Sequence, residues 1–331
     1  MTNIDILRDI EEKKKLIEKD SLSYKLSKKI ISSFDEEALY HSNLLEITRK
    51  TRAEIRNLKK DFSNTRENLV TAWNYAVKNF EDFNSNYVCK IASLLEGDKN
   101  LENYRQDSVR VSGNDAVFPP RAEKVSGLME KLITFAKDSK LHPVETSGIL
   151  HMHFLRIHPF DDGNGRTSRI LQNVFLNKKG YAPAIIPSGE REIYQGLLRG
   201  ALRDYRDRES MEDKSFEKLL TDPIYLASRE INFLDYLGSK VNVSMDNIFD
   251  EINKLPKYTI LLSKLDSPAE TISVKHAVDA YFRKKNSLGQ VRVKSKKGGI
   301  LEVRGEIGET NLRKIVNENY SRKCKVSSMS K

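Results

Sequence analysis

Residues 158–169 read His-Pro-Phe-Asp-Asp-Gly-Asn-Gly-Arg-Thr-Ser-Arg. These twelve positions hold an imidazole (His158), a carboxylate (Asp162), an amide between two glycines (Gly163, Asn164, Gly165) and two guanidiniums (Arg166, Arg169). Glycine accepts backbone angles that other residues resist, so a Gly-Asn-Gly turn can aim several N–H groups into one concave spot. From Gly165 onward the chain reads as helix, and a helix N-terminus favours phosphate through its free N–H groups and its dipole. Arg166 and Arg169 lie three apart on that first turn, where the dipole disfavours cations. Their placement makes sense with a polyanion between them, because a guanidinium grips phosphate with a planar fork of donors. Asp162 is a hard oxygen ligand suited to Mg²⁺ held jointly with phosphates. His158, with a reference pKa of about 6.5, is a natural base near neutrality. Taken singly, each residue has a bland explanation, the histidine as packing and the glycines as a loop. Together they fit a metal-bound nucleotide phosphate beside a hydroxyl that must lose a proton.

The elements that position this stretch are helical. Val144 to Ile157 carries apolar residues at helical spacing (Ile149, Leu150, Met152, Phe154, Leu155) and delivers His158 at its end. Lys179-Gly180 is a helix stop. A Pro-containing connection then leads to a helix over Gly189 to Tyr205, with Glu190, Tyr194 and Leu197 on one face.

The stretch resembles the motif of the Fic family, H-P-F-x-[D/E]-G-N-G-R-x-x-R, and matches it at every fixed position. The Doc branch has lysine where this chain has Gly165, and the phosphocholine-transferring branch departs from Gly-Asn-Gly. The intact form is similar to the members that move AMP from ATP onto a Ser, Thr or Tyr hydroxyl of a protein and release pyrophosphate. The likeness spans roughly residues 65–210 and implies two further core helices, Glu67 to Phe83 and Val125 to Phe135. It implies a mainly α fold: a Fic-type helical core with a small β-hairpin flap, flanked by N-terminal helices and a C-terminal α+β basic module. It also implies roles. His158 takes the proton of the target hydroxyl, and Asp162 holds Mg²⁺. Gly163, Asn164 and Gly165 bind the α- and β-phosphates, Arg166 the β-phosphate and Arg169 the γ-phosphate. Phe160 anchors the loop in the core. The flap, with Val109, Arg110, Val111 and Val117, docks the target segment, a task suited to strand addition. Tyr194 is read either as an adenine contact or as a core residue.

Many members of this family are restrained by a helix bearing [S/T]-x-x-x-E-[G/N], whose glutamate pairs with the last arginine of the motif. Ser42-Asn43-Leu44-Leu45-Glu46 has the spacing, with Ile47 where Gly or Asn is expected, in a helix-like stretch from about Glu36 to Phe62. Ser32 to Glu36 is another near-match. The competing reading leaves Glu46 on a solvated helix face.

The 331 residues allow two or three domains. The expected division is 1–64 for N-terminal helices, with Ile4 to Ser32 as a surface helix or helical hairpin, 65–210 for the catalytic core, and 211–331 for a C-terminal module. No apolar run approaches the roughly 18–20 residues of a membrane span. The N-terminus lacks a secretory signal's basic start and apolar core, and two cysteines (Cys89, Cys324) are too few for a disulfide framework. A cytoplasmic location is the expectation. His151 and His153 read as packing rather than metal ligands.

The C-terminal part is of another kind. Helices are expected at 216–220, 225–236, 244–255 and 274–284, a hairpin turning at Gly298-Gly299, and a last helix over Asn311 to Tyr320. Lys323 to Lys331 reads as a frayed end. Helices plus hairpin allow a winged-helix-like module. Arg283 to Lys325 holds 13 Lys/Arg and 4 Glu, nearly all of the chain's +10 excess. Such a surface can bind nucleic acid or an acidic protein, or be a solvated face with no partner. The readings left open are therefore protein adenylylation with ATP and Mg²⁺, the same transfer with another nucleotide such as UMP or GMP, and a nucleic-acid-binding regulator with a sensory or silent core. The resemblance also allows a homodimer.

Overall fold

Helix dominates the computed structural model, which describes residues 4–46, 66–96, 103–109, 119–208, 228–262, 268–285, 287–293, 300–319 and 324–328. The chain divides into two units, one of residues 1–11 and 33–245, the other of 12–32 and 246–331.

The first unit is built on two buried helices. α6 (Pro143–Ile157) and α7 (Asn164–Lys178) are buried on nearly every face rather than along one stripe. Around them stand α3 (66–78), α4 (Ser85–Glu96), α5 (Ala122–Asp138) and α8 (Arg191–Arg208). The shared core includes Leu69, Ile91, Leu95, Met129, Leu132, Phe154, Phe160 and Val174. Pro143 opens α6 with its fixed φ, and the His142 ring accepts from the Val144 N–H at 3.2 Å. α7 ends as expected at Gly180, whose φ of 81° lets the Tyr181 N–H reach the Leu176 carbonyl at 2.9 Å.

Two boundaries differ from the sequence expectation. The N-terminal helices break at Asp20, giving α1 (Ile4–Lys19) and α2 (Ser21–Glu46), instead of near residue 32. Asp20 caps α2 by accepting from the Leu22 N–H at 3.2 Å and the Ser23 hydroxyl at 2.9 Å. α2 is one continuous helix whose first part belongs to the second unit and whose later part, from Ser33, belongs to the first. The other difference lies beyond residue 210. α9 (Ser228–Lys254) is a single helix where two were expected, and it stays with the first unit as far as Met245. The reason is packing: Phe233 stacks on the His151 ring at 5.9 Å, and Leu234 lies so close to Gly148 that a Cβ there would be 2.6 Å from it.

The second unit is a small α+β body. Its antiparallel sheet has the order β2-β3-β1-β4, from β1 (Lys257–Leu262), β2 (Gly289–Val293), β3 (Ile300–Gly305) and β4 (Cys324–Ser328). α10 (Pro268–Lys285) and α11 (Glu309–Asn319) cover it through Val274, Val278, Phe282, Leu312 and Val316. Among the described residues one helix, α10, stands between β1 and β2. Within the segment read as a frayed end, Cys324–Ser328 form β4, paired with β1; 323 and 329–331 lie outside the described residues. Part of the basic excess is spent internally: Arg292 pairs with Glu302 at 2.6 Å and Asp20 at 3.4 Å, and Arg313 with Glu309 at 2.6 Å. The hairpin lysines 294, 296 and 297 lie outside the described residues.

Asp35 marks where α2 meets α7. One of its oxygens accepts from the Asn177 amide at 3.3 Å, the other is buried without a partner, and burial pushes the carboxyl up to about 7. A raised carboxyl contributes its stability at acid pH and loses it as pH rises through the folded value. Asp35→Asn is therefore expected to raise Tm by several degrees at pH 8, at about 2–4 °C per kcal/mol, and by clearly less at pH 5, where only part of the span between the unfolded and folded values has been crossed. Thermal melts at the two pH values check this.

Candidate functional site

His158 ends α6 in the left-handed region, with φ 50° and ψ 60°, the one non-glycine residue described with a positive φ. That conformation turns the chain out of the helix and is held by neighbours rather than by propensity. Arg105 does most of the holding. Its Nε donates to the His158 carbonyl at 2.8 Å, its terminal nitrogens to Pro120 at 2.5 Å and Asp107 at 2.7 Å, and its backbone N–H to Pro159 at 2.9 Å. No motif in the sequence marks Arg105 as the brace of this loop.

The His158 ring is half-buried. Its Nδ1 lies 3.3 Å from the Leu155 carbonyl, which can only accept. The proton therefore sits on Nδ1, and Nε2 is left basic. Burial holds the imidazole below its ordinary value. Arg105 pushes the same way, while the Leu155 carbonyl, Asp162 and Glu46 oppose.

The loop after His158 is pinned from inside. Phe160 is fully buried against Tyr104 and Phe154, with ring centroids at 5.7 and 6.2 Å. Asn164 clamps it: its Oδ1 accepts from the Phe160 N–H at 3.0 Å and its Nδ2 donates to the Phe160 carbonyl at 2.7 Å. The side chain of Asn164 is thus committed to the loop, and what it can offer an anion is its backbone N–H. Gly163 takes φ 74° and caps α7, leaving the first N–H groups of that helix for a ligand. Gly165 is different. It is helical, and its lack of a side chain serves a close approach, since a Cβ there would collide with the Glu46 carboxylate.

The two arginines point to different partners. Arg169 is buried; its Nε donates to the Ser42 hydroxyl at 2.8 Å, and one terminal nitrogen to the Ser42 carbonyl at 3.1 Å and to Glu46. The structure therefore brings Ser42 and Glu46 to Arg169; Ile47 lies outside the described residues. Burial works against the Arg169 charge, and Glu46 and Tyr194 more than offset it, so its pKa is raised. Arg166 donates to Glu96 at 2.6 Å, with Asp162 at 3.8 Å. Glu96 had no place in the sequence reading.

Asp162 is the exposed member, with 66 % of its side chain accessible and one oxygen accepting from the Gly163 N–H at 2.7 Å. A solvent-facing carboxylate beside a helix N-terminus fits Mg²⁺, which keeps several waters and takes one or two carboxylates plus phosphate oxygens. Tyr194 lies in the core. It is buried, its hydroxyl lies 2.8 Å from His151 Nε2, and it hydrogen-bonds Arg169. Its reach into the core, past the helix face that spacing alone could define, makes it a support for Arg169. His151 and His153 are fully buried, and burial lowers both, His151 to about 3. Among the described residues no three His, Cys, Asp or Glu side chains form a metal cluster. Val109 is half-buried, while Arg110, Val111 and Val117 of the expected flap lie outside the described residues.

Helix-borne histidine, clamped loop and arginine-bearing helix are the arrangement of a Fic fold, and residues 82–176 match the Fic/DOC family model. This part of the chain is a Fic/DOC-family domain. Over 99 residues, 29% of this chain, it is 39% identical to the protein adenylyltransferase Fic of Drosophila melanogaster and 38% to that of Drosophila virilis. It spans about a fifth of the length of those relatives. Among solved structures it is similar to a Fic domain containing signaling protein from Bacteroides thetaiotaomicron, with a TM-score of 0.55 at 20% identity, covering 74% of this chain and 97% of that one. Fic-1 (residues 134–508) from C. elegans gives 0.54 at 17%, covering 75% and 72%. At these identities the structural likeness speaks to the fold.

The Asn164 clamp has a measurable consequence. Asn164→Ala leaves the Phe160 N–H and carbonyl buried and unpaired, at about 1–3 kcal/mol for each group. Tm is expected to fall by several degrees, read by circular dichroism; an unchanged melt would contradict the clamp.

Proposed function

We propose that the chain is a protein adenylyltransferase that moves AMP from ATP to a Ser, Thr or Tyr hydroxyl of a protein. The observation that carries this reading is the convergence of a basic imidazole nitrogen, an α7 N-terminus and two guanidiniums on one loop, in a domain whose relatives are named protein adenylyltransferase. Nε2 of His158 takes the proton as the acceptor oxygen bonds to Pα. The bond from Pα to the bridging oxygen of the β-phosphate breaks, and pyrophosphate leaves with the electron pair. The α7 N–H groups hold the α- and β-phosphates, Arg166 the β-phosphate and Arg169 the γ-phosphate. Asp162, with phosphate oxygens, would hold Mg²⁺, which supplies charge neutralisation at the phosphates. Positioning and charge stabilisation account for the rest.

Arg169 cannot serve Glu46 and a γ-phosphate at once, so Glu46 restrains the enzyme. Removing it restores to the nucleotide one charge-assisted hydrogen bond of about 1.5–3 kcal/mol. With labelled ATP and Mg²⁺, Glu46→Gly is expected to label itself or a lysate protein about 10- to 100-fold faster than the parent. His158→Ala in that background is expected to lose the signal. Equal labelling by parent and Glu46→Gly would sink the restraint, and label indifferent to His158 would sink the base.

The pH profile follows from the lowered imidazole. His158 stays neutral below its usual range, and Glu46→Gly removes one of the charges that raise it. The acid limb of kcat/KM for that variant is expected at an apparent pKa below about 6.5. A limb above that value would contradict the burial argument.

A further inference from the structure

Each glycine of the Gly163-Asn164-Gly165 turn has a carboxylate of the protein pressed against it, and each carboxylate holds a different arginine. Glu46 lies on Gly165 and pairs with Arg169; Glu96 lies on Gly163 and pairs with Arg166. The two are not alike in setting. The Glu46 side chain is 43% exposed and comes from the end of α2. The Glu96 side chain is 6% exposed, at the end of α4, whose Val88, Ile91, Ala92 and Leu95 are sunk in the core. A carboxylate so buried needs a permanent partner. Gly163 admits it: a side chain there would collide with Glu96, besides straining at φ 74°.

We propose that Glu96 is a positioning residue for the phosphate-gripping Arg166, a fixed counterpart to the releasable Glu46. One terminal nitrogen of Arg166 donates to Glu96 at 2.6 Å, which tethers the guanidinium at the first turn of α7. Nε of Arg166 is buried and has no hydrogen-bond partner, so Glu96 alone does not satisfy the guanidinium's donors. A tether suits a phosphate, since a guanidinium that is already oriented loses less freedom on binding. Glu96 also cancels one positive charge at a helix end that disfavours cations. The residue acts through Arg166 and touches no substrate atom. Its sequence context, a glutamate before Gly97 at the end of an apolar helix, carries no motif.

The inference rests on the phosphate reading of Arg166, and its test separates the two. In the Glu46→Gly background, Mg·ADP and AMP are titrated calorimetrically into the Glu96→Ala, Glu96→Gln and unaltered proteins. ADP carries the β-phosphate and AMP does not. For Glu96→Ala we expect ADP to bind about tenfold more weakly and AMP within about twofold of the unaltered protein. Glu96→Gln keeps the shape and one acceptor oxygen, and is expected to recover part of the ADP affinity. Tighter ADP binding and faster labelling in Glu96→Ala would make Glu96 a second restraint and overturn the proposal. Equal losses for ADP and AMP with a lower Tm would reduce it to a structural residue, and no change in either would remove its role. If the Glu46→Gly protein labels nothing with ATP, adenylyl transfer fails, while the ADP-to-AMP comparison still decides the case of Glu96.

Discussion

A buried guanidinium must be paired, and the site is organised around that constraint at Arg169. Ser42 supplies a hydroxyl and a carbonyl, and Tyr194 a hydroxyl backed by the neutral His151. These are dipoles. Among the described partners Glu46 alone brings the opposite charge. A γ-phosphate would bring another, to the same donors. The half-exposed Glu46 at the end of a helix can yield its place, whereas the partners that remain are fixed in the core. Arg169 is thereby kept charged and oriented whichever anion holds it.

The loop around it does not wait for a ligand. Arg105 braces His158 and Pro159 from one side, Asn164 clamps Phe160 from within, and Phe160 fills the core between Tyr104 and Phe154. The histidine is held in a backbone conformation it would not adopt alone. Such preorganisation means that donors and base need little rearrangement when charge develops on a bound phosphate. Arg166, with Glu96 behind it, follows the same plan.

The motif was legible because its chemistry is local. His158, Asp162 and the arginines fall within twelve residues, and α6 and α7 follow from apolar spacing and a Gly180 stop. Ser42 and Glu46 were legible through their spacing, although only the fold could bring them to Arg169. What stayed hidden depends on distant partners. Glu96 is an ordinary glutamate until Arg166 and Gly163 meet it, 70 and 67 residues later in the chain. Gly165 looks like a turn glycine and is a helical one kept small by Glu46. Tyr194 sits on a helix whose spacing could not say whether its hydroxyl faced a ligand or His151. The break at Asp20 and the strands β1 and β4 were missed because a cap within a charged helical stretch, and two short strands whose partners are remote, leave little periodic signal.

The account turns on Arg169 serving one anion at a time. The most direct measurement is the affinity of the parent and of Glu46→Gly for Mg·ATP and for Mg·ADP, by calorimetry, since the two nucleotides differ by the γ-phosphate alone. The account predicts that losing Glu46 strengthens ATP binding by about tenfold or more and leaves ADP binding within about twofold. An equal gain for both nucleotides, or none for either, would show that Glu46 and the γ-phosphate do not compete for the arginine.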